Sequence, residues 1–474
     1  MLLHIIRTDW KNLAGDRSLF AIAVLFAALL AYGAYNGAQW TATQRATHAE
    51  AAAEAAARLA SLPEAMRNAE MNRVSAFMDP RNPAALGARL ANPYLILPPA
   101  ELAPLAIGQS DLYASYIKAS TQSAETVLAA DEIENPHNLL SGRFDLAFVL
   151  VYLYPLLILA LGYNLLSAEK EQGTLSLTLS QPVKLSTLIF GKVLARAAVL
   201  IPVAALLSAL AAWAGGANPF SVPFLAWVGI IAAYGLFWLS LAILVNALNL
   251  SSAANALVLS AAWVVLALVV PGTVNLAASS LYPVPSRVEM IHAMREASKD
   301  ASQRGSMLLA KYLEDHPELS PEGNTAAGAA DAARTSLAVQ QEIERQMQPV
   351  LARYDAQIDG QRRLVERLQF FSPAILAQSA FNNLAGTGTE RYEHFRNQVT
   401  EFLAEWRQYF AQRVFSKQRM TPADLPALPQ FTYQEEEPGD MLARVISALR
   451  GILFPAAILL LLGMQMLNRY RISA

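Results

Sequence analysis

Ninety consecutive residues, Ala197 to Ser286, contain no Asp, Glu, Lys or Arg. A bilayer core takes about twenty apolar residues per helix, so this stretch holds three or four crossings rather than one. Two clusters of turn-forming residues divide it into three: Gly215-Gly216-Ala217-Asn218-Pro219, and Asn246-Ala247-Leu248-Asn249 with Ser251-Ser252. Helices are therefore predicted over 187–213, 221–245 and 253–275. Pro271-Gly272 lies late in the last of them and is predicted to kink or break it.

Three more apolar runs, 18–36, 144–166 and 450–467, bring the predicted spans to six. The first follows Arg7, Lys11 and Arg17; its long leader and long apolar run read as a retained span rather than a cleaved signal. Gly33 and Gly37 at its end fit either a close helix approach or a helix stop. The fold class expected is an all-α polytopic membrane protein, with six transmembrane helices and two mainly helical extracytoplasmic domains. A charged fraction of only 16% agrees, because soluble domains carry about a quarter. With no cysteine, a disulfide scaffold, a zinc ribbon and a cysteine nucleophile are excluded. A net charge of −2 argues against a nucleic-acid binder.

Orientation follows from the short basic segments. Residues 1–17, 167–196 and 468–474 hold nine Lys/Arg against Asp9, Asp16, Glu169 and Glu171, the bias of cytoplasmic loops. Both termini are then cytoplasmic, and 37–143 and 287–447 lie outside. The first of these starts with an alanine-rich run, Ala49 to Ala60, which reads as a continuation of the first span into solvent. It then passes through Asp79-Pro80, Asn82-Pro83, Asn92-Pro93 and Pro98-Pro99, which signal turns and loops. In the second, apolar residues recur every three or four positions from Leu337 to Leu368, and Phe395, Val399, Phe402, Leu403, Trp406 and Phe410 form a stripe. Two amphipathic helices are predicted, with the aromatic stripe as the core of a hairpin between them. Gly386-Thr387-Gly388-Thr389 reads as a turn, and Pro422, Pro426 and Pro429 as an extended return to the last span.

The chain has no G-x-x-x-x-G-K-[ST] loop, no H-E-x-x-H and no G-x-S-x-G elbow. Its six histidines are scattered, so neither metal nor cofactor nor catalytic residue is expected. No charge is placed deep in a span, and Asn246, Asn249, Asn255 and Asn275 read as solvated caps near helix ends.

The segment after the second span is the most informative. Glu169 and Glu171 are predicted to end that span with water-facing charge, and Gly173 to stop the helix. Thr174 to Leu179 forms a short, partly apolar element closed by Ser180 and Pro182, and Ser186 can cap the next helix. The run Glu169-x-Glu171-x-Gly173-Thr174-Leu175, then Leu179-Ser180-x-Pro182 and Gly191-Lys192, resembles the signature of ABC-2 type transporter permeases. That family includes the six-span permease of nitrous oxide reductase maturation. The start of the chain, Ile5 to Lys11, resembles the family's interfacial helix, and its amphipathic pattern suits a membrane surface. Phe371-Ser372-Pro373, Ala377-Gln378, Leu384 to Thr387, Arg391-Tyr392 and His394-Phe395 resemble a subgroup with a large periplasmic insertion between spans five and six.

The resemblance implies a permease subunit without an ATPase motif of its own, in a bacterial inner membrane. It implies two copies of a cytoplasmic ATPase, which bind ATP and Mg²⁺, and a second permease chain, identical or homologous. Residues 167–186 would be the coupling segment touching the ATPase, with Glu169, Glu171, Gly173, Thr174, Leu175, Leu179, Ser180 and Pro182 as its contacts. The large insertion adds a periplasmic protein as a further partner. A membrane-anchored sensor or assembly scaffold with a helical ectodomain is the alternative; the short inside segments leave little room for the output module it would need.

Overall fold

The computed structural model describes residues 6–7, 9–10, 17–71, 74–75, 78–121, 144–175, 180, 184–315 and 329–470. Among these, six helices are long and apolar enough to cross a membrane. They are α1 (Arg17–Met71), α2 (Leu146–Glu171), α3 (Leu185–Ala214), α4 (Val222–Ala247), α5 (Ser252–Leu281) and α11 (Pro438–Asn468). Five more helices stand between α5 and α11: α6 (Arg287–Gln303), α7 (Gly305–Asp315), α8 (Ala329–Leu368), α9 (Pro373–Ala385) and α10 (Thr389–Phe415). The protein is thus an almost wholly helical chain of membrane type. The one sheet described is a two-stranded ribbon, β1 (Tyr94–Ile96) antiparallel to β2 (Tyr116–Lys118) with Leu95 opposite Ile117.

Several sequence boundaries move. The first apolar run does not stop at residue 36: α1 continues for 55 residues, about 83 Å at 1.5 Å per residue, far longer than a bilayer is thick. Gly33 and Gly37 are close-approach positions inside it. A Cβ at Gly33 would stand 2.7 Å from the Asp145 carbonyl, and one at Gly37 2.1 Å from that of Pro104. The last crossing helix likewise begins at Pro438, well before residue 450. Pro271 does not break α5. The chain takes a wider π turn over Val265–Val269 and resumes as Val270–Leu281, because a residue without an N–H is accommodated where the ladder loosens.

The second span is the least regular. Leu146–Phe148 leads into a π turn, Val149–Leu153, ahead of Pro155. Pro155 cannot donate to the Val151 carbonyl, which instead accepts from the Tyr234 hydroxyl of α4 at 2.8 Å. The next carbonyl, Tyr152, accepts from Trp263 Nε1 of α5 at 3.2 Å. Tyr154 of α2 lies against Gly235 of α4, and Tyr154 and Tyr234 are both fully buried. Gly463 lets α11 lie close to α4, against Ile243 and Leu244.

The aromatic stripe of α10 is core, but α8 does not cover it. Phe395, Val399, Phe402, Leu403, Trp406 and Phe410 pack against Leu62 and Met66 of α1, Leu86, the ribbon residues Leu95 and Ile117, and the return segment at Leu425 and Leu428. Trp406 Nε1 donates to the Gly87 carbonyl at 3.0 Å, and a Cβ on Gly87 would meet the Phe410 ring at 2.6 Å. The regions predicted as two separate domains therefore share one core. Ile343 and Met347 of α8 are buried instead against Ala297 and Ala301 of α6. Between these parts and the spans lies α9, with Leu376, Ala377, Phe381 and Leu384 inside the main core and Phe381 4.3 Å from Trp227. Its cap, Ser372, donates to the Leu266 carbonyl in the π turn of α5 at 2.7 Å.

Candidate functional site

The predicted coupling segment lies where α2 meets the turn between α4 and α5, at the end of the bundle opposite the insertions. Regular helix lapses over Tyr163–Leu166 and resumes at Ser167–Glu171. Such a lapse frees backbone groups, and in a membrane other groups of the protein must satisfy them. Here they do. The Leu161 carbonyl accepts from Arg196 of α3, and the Leu165 carbonyl from Lys192 at 2.9 Å. Asn246 of α4 satisfies two more: its Oδ1 accepts from the Leu166 N–H at 3.2 Å, while its Nδ2 donates to the Gly162 carbonyl at 2.9 Å.

A second layer of contacts fixes the resumed helix. Ser167 Oγ is 2.8 Å from Ser252 Oγ and accepts from Asn255 Nδ2 at 3.4 Å. Glu171 accepts from the Ser252 N–H at 2.7 Å and from its hydroxyl at 2.9 Å, clamping the first turn of α5. Lys170 donates to Asn249 Oδ1 at 2.6 Å, and the Tyr470 hydroxyl donates to the same oxygen from the far end of α11. Asn249 occupies the left-handed region, φ 61°, in a turn that asparagine tolerates better than most residues. Glu169 pairs with Lys192 at 2.7 Å, and Asp9 approaches Arg196 at 3.6 Å. Two acids and two bases are therefore gathered across α2, α3 and the N-terminal segment. Burial pushes the Asp9 carboxyl above its ordinary range, against the opposing pull of Arg196 and Lys192.

These positions revise the sequence reading in five places. Glu169 is not water-facing but paired with Lys192. Asn246 and Asn255 are fully buried rather than solvated caps: Asn246 satisfies the interrupted helix, and Asn255 donates to Ser167 Oγ and to Asn246 Oδ1. Arg196, taken as the end of an inside loop, is a buried charge well within α3. Ser186 lies inside α3 and is buried; Lys184 takes the cap position. Leu175 is covered by this chain's own core.

Gly173 does end the helix, at φ 69°, with its N–H on the Lys170 carbonyl at 3.1 Å and that of Thr174 on the Glu169 carbonyl at 2.9 Å. Ser180 is exposed; Leu179 and Pro182 lie outside the described residues. The sequence did carry a signal for what was missed: three asparagines, Asn246, Asn249 and Asn255, stand within ten residues of an uncharged stretch.

The residues of the second resemblance act at the opposite end, where they join parts of the chain. Buried Arg391 donates to the Pro98 carbonyl at 2.8 Å and to Glu435 at 2.9 Å, so it ties the first insertion to the return segment. Tyr392 stacks on Tyr113 at 4.2 Å, and His394 Nε2 lies 3.0 Å from the Gln434 carbonyl. A family model described as Domain of unknown function (DUF3526) matches residues 287–434, from α6 through α10 into the return segment. Neither a curated protein nor a solved structure matches the chain.

Proposed function

We propose that the chain is the membrane-spanning permease subunit of an ATP-binding cassette transporter of ABC-2 type. In this reading separate cytoplasmic ATPases bind ATP and Mg²⁺ and dock against Glu169 to Pro182, in an assembly of two ATPases and two permease chains, identical or homologous. The end carrying Glu169 and both termini face the cytoplasm of a bacterium, and the two insertions face the periplasm. This chain contributes no catalytic group; it converts ATPase closure into movement of the spans, for export or for handling cargo outside the membrane.

The observation that carries the reading is the way Ser167–Glu171 is tied to its neighbours. Glu169 holds α3 through Lys192, Glu171 holds the start of α5 through Ser252, and Asn246 holds α4. A displacement applied to this five-residue helix is therefore passed to three spans, and the break at Tyr163–Leu166 lets it move without dragging the whole of α2. Glu169→Ala/Glu171→Ala is expected to insert normally and to lose stimulation of ATPase turnover by transport. Unchanged coupling in membranes holding the partner ATPase would sink the assignment.

The shared core that joins the two insertions supports a second reading, a membrane-anchored sensor or scaffold that presents the joined insertions to a periplasmic protein. Affinity purification from native membranes separates the two: a stoichiometric ATPase favours the transporter, and its absence the scaffold.

A further inference from the structure

An open groove of about 750 Å³ lies beside α11 on the membrane flank of the insertions, lined by Phe370, Arg450, Gly451, Leu453, Phe454 and Pro455. Its walls are those of a lipid-facing surface: Phe454, Phe370 and Leu453 are exposed. Its depth can be read from the helix. At 1.5 Å per residue, Arg450 stands about 27 Å along α11 from Asn468, close to the far boundary of a hydrocarbon core about 30 Å thick. Two lining residues, Arg450 and Gly451, carry its polar groups at that level. Arg450 is exposed and has no hydrogen-bond or ion-pair partner among the described residues. Pro455 has no N–H, so the Gly451 carbonyl lacks its donor one turn on.

A guanidinium and a carbonyl without its usual helical donor, at headgroup depth above an aromatic slot, match one kind of molecule. We propose that this groove is a binding site for an anionic phospholipid with a hydroxylated headgroup, such as a phosphatidylglycerol. The phosphate pairs with Arg450, the Gly451 carbonyl accepts from a headgroup hydroxyl, and one acyl chain runs along Phe370, Leu453 and Phe454. Position gives the site a purpose. Phe370 belongs to the short turn Gln369–Phe371 that joins α8 to α9, and a Cβ on Gly451 would press on Phe370 and on Leu376 of α9 at 2.8 Å. A seated lipid therefore touches the junction between the second insertion and the membrane core. The site is built from α11 and the turn between α8 and α9, and is independent of any ATPase or of which side the insertions face.

The test uses the full chain in nanodiscs of equal phosphatidylcholine and phosphatidylglycerol, with retained lipids counted by native mass spectrometry. Selective retention of phosphatidylglycerol is expected, falling about fivefold in Arg450→Gln and largely kept in Arg450→Lys. In a second arm Arg450 is intact and a photo-crosslinking benzoylphenylalanine replaces Phe454; an adduct of phospholipid mass is expected. Equal retention of both lipids by the parent, or by parent and Arg450→Gln alike, overturns the proposal, as does cross-linking of that position to protein instead of lipid.

Discussion

Where α2 meets the α4–α5 turn, freed carbonyls are matched one by one by Arg196, Lys192 and Asn246, whereas at the opposite end the insertions are joined by aromatic rings around Trp406. The difference follows from the surroundings. Within a bilayer, lipid tails are as apolar as leucine, so burying more leucine gains little, and satisfied polar groups and close packing decide geometry. In water each fully buried large apolar side chain contributes about 1.5–3 kcal/mol, so a stripe of phenylalanine and tryptophan is enough to weld two insertions together. One end is specified by directional bonds that can be exchanged; the other is specified by volume.

The sharpest way to break this contrast is Arg196→Ala, which strips the partner from buried Asp9 and from the Leu161 carbonyl. A loss of about 3–5 kcal/mol is expected, read as a fall in the unfolding midpoint in detergent. Replacing the pair together, Arg196→Met with Asp9→Leu, should recover much of it, because no charge is then left buried alone. A single variant as stable as the parent would mean that the charges are spectators. Trp406→Phe probes the other end more gently: the Gly87 carbonyl loses its donor, at a cost of about 1–3 kcal/mol. The contrast predicts that protease cleavage within the insertions accelerates while the α2–α4 end is unaffected; loosening of both ends together would show that the two are one cooperative unit.

The smallest effect is in pH. His48 on α1 lies 2.8 Å from Ser115 Oγ, and burial lowers its imidazole below the ordinary 6.5. The folded state therefore resists a proton that the unfolded chain accepts. Its contribution to stability is complete above about pH 6.5 and is lost as the pH falls from there towards the folded value. A pH series of melting temperatures should show this decline, and His48→Gln should flatten it.

Much of this was legible locally. An uncharged stretch announces crossing helices by length alone, and Asn-Ser or Gly-Gly punctuation divides them because those residues favour turns. The stripe on α10 announced a buried face, yet periodicity says only that a face is covered, not by what; its cover came from Leu62, Leu86 and the ribbon, hundreds of residues upstream. The candidate site was half legible. Acidic residues followed by Gly173 marked the end of a helix, but the role of Asn246 depends on a break in α2 at Tyr163–Leu166, where Gly162 and Asn164 are only weak punctuation within a long apolar run. Pro271 marked an irregular turn but not a break, for a related reason: a proline's missing donor forces a break only if no neighbour absorbs it, and Ser372 sits beside the widened turn.

The continuity of α1 makes it a lever. From Gly37, seated on the Pro104 backbone, the helix runs on for about 51 Å to Met71, so a tilt of about 5° at the glycine would swing that far end by about 4 Å. Leu62 and Met66 near the tip are embedded in the same core as Trp406 and Phe410. Small rotations of the first span are thereby magnified into displacements that the first insertion, α10 and the return segment to α11 must make together.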